Sequence, residues 1–469
     1  MNVYKGWRTI EAIVRLLIIL ALASGAEISH AQDASGSPPQ TSAAPEASPS
    51  PTPAPTQDTP QASPTPTPAA DQQLPKSTLE NIIEAGESSD EQPSRKLVHW
   101  NEYEGPNFTI RVGGGLLFDY GAFSQDTQSK EQVTLSPDIK LRDARFILRG
   151  AFPRWKRLSW SSGIMYDGPT HSFLVRETGI MIKIPELWGS LFIGRTKEGF
   201  SLNKVMVGYA GWTIERATMN DASIPILADG IKWLGYSPKH HFLWNLGTYI
   251  DWLSKSQTFS TYAHQSIARL AWLPIVSDEK GKLLHFGANL RYGKPKDDQL
   301  QFRSRPEAFT APYFVDTGKF PATSSRMAGY EAYYRQGPWL FGSEYWWVDV
   351  SAPANGNPVF RGGDVVASWL VTGETRAYNT AGGFFKAVSP ARPVFQGGPG
   401  AWELVLRYST INLDQGTLTG GKFKRITPMV NWHLSDNVRL ALVYGYGHLD
   451  RFNLVGNTQF FQARIQLQL

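Results

Sequence analysis

The sequence predicts an all-β fold, a sixteen-stranded antiparallel transmembrane β-barrel with inward-folded loops behind a disordered Pro-rich segment, and three observations predict it. The first is the C-terminal stretch 458–469, where Phe461, Ala463, Ile465, Leu467 and Leu469 share one parity and Phe460, Gln462, Arg464, Gln466 and Gln468 the other. Period-two alternation carried to the last residue is a strand with one apolar face, and a barrel closes by pairing its last strand with its first. The second is that such segments recur from Asn107 onward and number sixteen, an even count that returns both ends of the sheet to one side. The third is that the connections alternate between short and long, as they do in outer-membrane barrels.

Ahead of the barrel the chain reads as an export signal and a tether. Lys5, Arg8 and Arg15 precede the apolar run Leu16 to Ala23, and Ser29-His30-Ala31 offers small residues to a signal peptidase, so residues 1–31 are expected to be cleaved on secretion. The run is shorter than the about 20 residues that a spanning helix needs. There is no cysteine, which excludes a disulfide scaffold, a thiol enzyme and a zinc–thiolate site. Residues 32–104 are expected to form a flexible periplasmic linker, because Pro, Ala, Ser, Thr and Gln bury too little apolar surface to offset ordering. Ser77-Thr78-Leu79-Glu80 matches a capping box and predicts a short helix over 77–85. Charge separates linker from barrel: residues 32–95 hold two basic and nine acidic groups, whereas residues 96–469 hold 41 basic and 30 acidic, a net of +11. A basic domain on an exported chain points away from nucleic acid, toward lipopolysaccharide, outer-membrane lipid and small anions.

The barrel is expected over 105–469. Its first strand sets Phe108, Ile110, Val112, Gly114, Leu116, Phe118 and Tyr120 against Thr109, Arg111, Gly113, Gly115, Leu117 and Asp119. Further strands are expected near 140–152, 158–166, 173–184, 189–195, 229–236, 241–252, 264–273, 283–292, 326–335, 339–348, 364–371, 401–409, 422–434, 438–448 and 458–469. The apolar parity is rich in rings, as in Phe242, Trp244 and Trp252 or Trp402 and Tyr408, which suits interfacial girdles. With the first strand rising outward, the short connections at 153–157, 185–188, 237–240, 336–338 and 435–437 fall on the periplasmic side. The long ones at 121–139, 196–228, 293–325 and 349–363 fall outside. Residues 372–400 form a long connection on the short side and hold Gly382-Gly383, Pro390, Pro393 and Gly397-Gly398-Pro399, which makes them a structured loop or a fold into the lumen.

That segment carries a family resemblance. Ser368-Trp369-Leu370-Val371-Thr372-Gly373-Glu374-Thr375-Arg376-Ala377-Tyr378, followed by Gly400-Ala401-Trp402-Glu403-Leu404-Val405-Leu406-Arg407-Tyr408, resembles the signature of the phosphate- and polyphosphate-selective porin family. Gly194-Arg195-Thr196-Lys197-Glu198-Gly199-Phe200-Ser201-Leu202, with Glu215-Arg216 behind it, resembles the approach to that family's constriction loop. Gly199 stands where the family usually has proline. Phe302-Arg303-Ser304-Arg305-Pro306-Glu307 looks like its second inward loop. The resemblance implies a homotrimeric outer-membrane porin whose basic lumen is narrowed by two external loops and one periplasmic turn. It implies passive, anion-preferring diffusion of small solutes, with phosphate or polyphosphate among them.

On the polar parity, Arg111, Arg145, Arg149, Lys183, Arg269, Arg291, Arg407, Arg425, Arg439 and Arg464 are expected to face the lumen, with Glu331, Glu344 and Glu403 among the acids. Lys197, Lys204, Arg303 and Arg305 are expected at the constriction, because their loops are too apolar to lie in solvent. Arginine grips oxyanions through a planar fork without losing its charge, so a succession of weak sites favours passage over trapping. The competing reading of each arginine is a partner for a lumenal glutamate. No GxSxG, HExxH or metal-ligand spacing is present, so neither a catalytic residue, a cofactor nor a metal site is expected. His433 sits at an expected turn without an evident partner. Two alternatives stay open: a structural tether between outer membrane and cell wall, and a general porin without phosphate specificity.

Overall fold

Alternating sequences make strands, and sixteen of them close into a cylinder. The structure, a computed structural model, describes residues 101–469 apart from 168–171, 207, 226, 251, 253–261 and 278–279. The expected signal peptide, the 77–85 helix and the linker up to residue 100 lie outside the described residues. The strands are β1 (Thr109–Gln125), β2 (Asp138–Ala151), β3 (Leu158–Asp167), β4 in two pieces (Ser172–Val175 and Thr178–Ile184), β5 (Gly189–Thr196), β6 (Ala228–Ser237), β7 (Phe242–Ile250) and β8 (Tyr262–Ser277). They continue as β9 (Lys282–Pro295), β10 (Ser324–Gln336), β11 (Trp339–Ser351), β12 (Val359–Leu370), β13 (Ala401–Gln415), β14 (Leu418–His433), β15 (Val438–Arg451) and β16 (Leu454–Gln468). Each pairs antiparallel with its sequence neighbour, and β16 pairs with β1 from Gly115 opposite Gln468 to Gln125 opposite Thr458. The terminal alternation is therefore the closing seam. Below the seam, where β16 runs out, Glu102–Glu104 folds back along the free edge of β1, with Glu102 opposite Arg111.

The burial pattern is inside-out relative to a soluble sheet. On β15, Leu442, Tyr444 and Tyr446 are exposed while Arg439, Ala441 and Val443 are buried. An exposed apolar parity over a buried charged one is tolerable only when the outer solvent is lipid and the polar groups find partners within. At the short-turn end the outer face carries ring stacks, Trp339 on Trp369 and Trp402 on Trp432, each with centroids 4.9 Å apart. Indole rings at that level suit the headgroup region.

Strands run further at the long-loop end than alternation indicated. The connection expected at 349–363 shortens to 352–358, and in the connection expected at 121–139 β1 persists to Gln125 before helix α1 (Thr127–Gln132). That helix is capped by Asp126, which also accepts the Asn457 backbone N–H at 2.8 Å and so bridges the seam. The apolar core lies in the lumen, where two clusters pack under the segments that fold inward.

Candidate functional site: a basic lumenal constriction

Three segments enter the barrel. The first runs from Lys197 to Leu227 and holds helices α2 (Leu202–Val205) and α3 (Thr218–Ser223). Its Phe200, Leu202 and Trp212 are fully buried, so the segment is packed rather than draped. Two wall carboxylates hold it. Glu344 on β11 accepts bonds from the Ser201 hydroxyl at 2.6 Å, the Asn203 backbone N–H at 2.7 Å, the Asn220 amide at 2.8 Å and the Tyr333 hydroxyl at 3.0 Å. Glu331 on β10 accepts the Leu202 N–H at 2.8 Å, together with Arg269 and His285, each at 2.8 Å. Carboxylates at orphan helix N–H groups satisfy donors that would otherwise be buried unpaired. Gly199 is explained here as well: a Cβ would lie 1.7 Å from Asn245, so the proline usual in the family does not fit.

The second segment, 296–323, packs Phe302, Phe314 and Phe320 against Phe360, Phe423 and Phe460 of the wall. Two short ladders stiffen it, and one of them pairs Arg303–Ser304 with Val315–Asp316. Arg407 donates to Glu307, and Arg425 donates to the Pro306 carbonyl. The third is the long periplasmic connection, 371–400, which does fold inward. Gly373 turns at φ 96°, a conformation that favours glycine, while Thr372 and Glu374 accept the backbone N–H groups of Trp402 and Ala391 and staple its base. Phe384 and Phe385 are fully buried, and Arg376 joins Glu403 of β13 to the Ala210 carbonyl of the first segment, both at 2.7 Å.

The first and second segments leave a cavity of about 500 Å³ against the wall made by β1 to β4 and β16. Among the described residues nine cationic side chains line it: Arg142, Arg145, Arg176, Lys197, Lys204, Arg216, Arg303, Arg305 and Arg464. Four carboxylates accompany them: Asp143, Glu215, Asp221 and Glu307. Glu215 sits between Arg142 at 2.8 Å and Arg464 at 2.6 Å; burial alone would raise its carboxyl, but the two guanidiniums outweigh it and hold the group well below its usual range. Arg216 donates to the carbonyls of Asn203 at 3.1 Å and Met206 at 3.1 Å. The Arg303 guanidinium lies 4.2 Å from the centroid of Tyr313, and that of Arg305 lies 4.5 Å from it.

Of the residues expected from parity and loop composition, Arg145, Lys197, Lys204, Arg303, Arg305 and Arg464 line this cavity. The others lie elsewhere. Arg269 serves Glu331 and the Gly383 carbonyl, and Arg291 lies 3.5 Å from Glu198. Arg407 and Arg425 clamp the second segment, and Arg439 donates to the Gly211 carbonyl at 2.5 Å. Arg111 meets Glu102 at 3.3 Å and stands opposite Arg149, near the short-turn end, while Lys183 is exposed close to the end of β4. Parity missed Arg142 and Arg176 because the strands are irregular there. The β1–β2 register skips Arg142 between Asp143 and Leu141, and Arg176 falls in the break of β4, so each is re-aimed inward from the lipid parity. Arg216 is in a loop, where no parity operates.

His433 is not at an unpartnered turn; it is the buried last residue of β14 and lies 3.2 Å from Glu403. Ser368 also donates to Glu403, at 2.5 Å. The carboxylate stands between serine and imidazole, and the same group anchors Arg376. Among the described residues no cluster of His, Cys, Asp and Glu could hold a metal ion.

Comparison with known proteins agrees with this architecture. Residues 110–469 match the family described as phosphate-selective porin O and P. A protein of Caulobacter vibrioides is 30% identical over 166 residues, 34% of this chain and 33% of the relative. Porin O of Pseudomonas aeruginosa is 24% identical over 203 residues, 37% of this chain and 45% of the relative, so the chain spans less than half the length of either. Outer-membrane expressed OmpT of Vibrio cholerae shares the fold, with a TM-score of 0.50 at 12% identity, over 78% of this chain and 100% of that one.

Proposed function

The chain belongs to the phosphate-selective porin O and P family, and on that premise we propose that its constriction passes small anions in preference to cations and that phosphate is among the solutes it admits. It is an outer-membrane barrel, a conduit rather than a catalyst. The observation that carries the reading is the lining of the cavity, nine cations against four carboxylates. Fixed charge between low-dielectric walls raises the local concentration of the opposite ion more than the same charge on an open surface. Passage is passive, because weak contacts along a lined route exchange a solute stepwise. Lipid and lipopolysaccharide surround the apolar exterior, and the homotrimer that the family resemblance implies belongs to the same reading.

In planar bilayers the reversal potential under a salt gradient should show chloride favoured over potassium, and millimolar phosphate should reduce chloride current. Replacing Arg303 and Arg305 together with alanine should lower both effects. Cation preference in the unmodified pore would overturn the reading. Anion preference without phosphate block would leave a general anion porin.

A further inference from the structure

We propose that the constriction selects oxyanions carried on a planar ring, such as aromatic carboxylates, over inorganic anions and over aliphatic acids of equal size. This deepens the anion-preferring reading and rests on it. The first observation is an alternation of guanidinium and ring along one wall of the cavity. Arg303 and Arg305 lie 4.2 and 4.5 Å from the centroid of Tyr313, and Arg305 and Arg142 lie 5.2 and 4.4 Å from that of Phe309. The second is that this cavity is not purely polar: Leu117, Met165, Met206 and Ile214 line it beside the cations. A wall built only to exchange hydration shells gains nothing from aliphatic and thioether groups.

The chemistry of guanidinium joins the two observations. Its N–H groups lie in the plane and its faces are weakly hydrated, so it binds an oxyanion at the edge and a π-system on the face. Arg305 lies beside two rings, Tyr313 and Phe309, but the exposed Arg303 lies beside Tyr313, which takes one face and fixes its plane. The opposite face can take a solute ring while a neighbouring fork takes that solute's oxygens, and thioethers make favourable contacts with aromatic rings. A saturated ring of equal charge offers no π-face and loses that part of the contact. Phosphate meets only the edges. The space of about 500 Å³ is of the size that accommodates a small organic molecule, about 300–1,000 Å³.

The test uses the full-length protein in planar bilayers, with benzoate, cyclohexanecarboxylate and acetate each titrated against chloride current, and with the reversal potential measured on the same membranes. Benzoate is expected to half-block at a concentration about fivefold or more below that of cyclohexanecarboxylate, a ratio within the range of face contacts to guanidinium. In Tyr313→Leu and in Arg303→Lys, which keeps the charge and removes the planar face, the ratio should fall toward one. Equal block by the two acids in the unmodified pore overturns the proposal, as does a benzoate advantage that survives both substitutions. A cation-preferring reversal potential brings down this proposal and the anion reading together. Anion preference without discrimination between the rings brings down this one alone.

Discussion

Lys204 differs from its cationic neighbours in where it titrates. Its ammonium is buried and donates to the Asn220 carbonyl at 3.3 Å. Burial and the Arg216 guanidinium push it down to about 7, Arg291 acts in the same direction, and the carboxylates of Asp221 and Glu198 pull it upward without restoring its ordinary value. The sign follows: below that value the constriction carries one more positive charge, and above it that charge is lost. Anion preference should therefore decline between about pH 6 and about pH 8. Reversal potentials across that range check it. Lys204→Gln should show the lower preference at the acid end and no further decline, whereas an unchanging profile in the unmodified pore would mean that Lys204 keeps one state throughout.

At the scale of elements, the constriction is held by carboxylates, so removing one should loosen a segment. Glu344→Ala removes an acceptor from Ser201, Asn203, Asn220 and Tyr333, and each donor left unsatisfied costs about 1–3 kcal/mol unless water reaches it. The expected outcome is higher mean single-channel conductance, greater current noise and new protease cleavage within 197–227. Arg376→Ala should do the same for 371–400 by breaking its link to Glu403 and Ala210, with cleavage from the periplasmic side. The strands themselves were legible in the sequence because lipid enforces one parity along every span, as Leu442 and Leu290 illustrate by remaining more than half exposed. Which inward arginine lines open space was not legible. Arg269 and Arg145 read alike along a strand, yet one lies beneath the third segment and the other lines the cavity. Segments distant in sequence decide that, and a single bulge or break was enough to hide Arg142 and Arg176.

Across the whole molecule, the excess of positive charge acts as a field, and fields are screened over about 8 Å at physiological salt. Selectivity should weaken as salt rises and persist longest where the lumen is narrowest. Deleting residues 32–95 should leave conductance and ion preference unchanged, because the cations and carboxylates named at the constriction come from 142–464; loss of envelope integrity with an intact pore would instead favour a tethering role for that arm. The edge of β1 below the seam also bears on how the cylinder assembles. Val112 bonds to Asn101 and Gly114 bonds to Leu469, so consecutive positions on one edge are taken by the chain's near neighbour and by its far end. The local pair forms across a few residues, while the distant pair must wait for the rest of the sheet. A closing strand that slid two places toward the periplasm would have to evict Asn101, so the short hairpin acts as a one-way stop on the register of the final zipper.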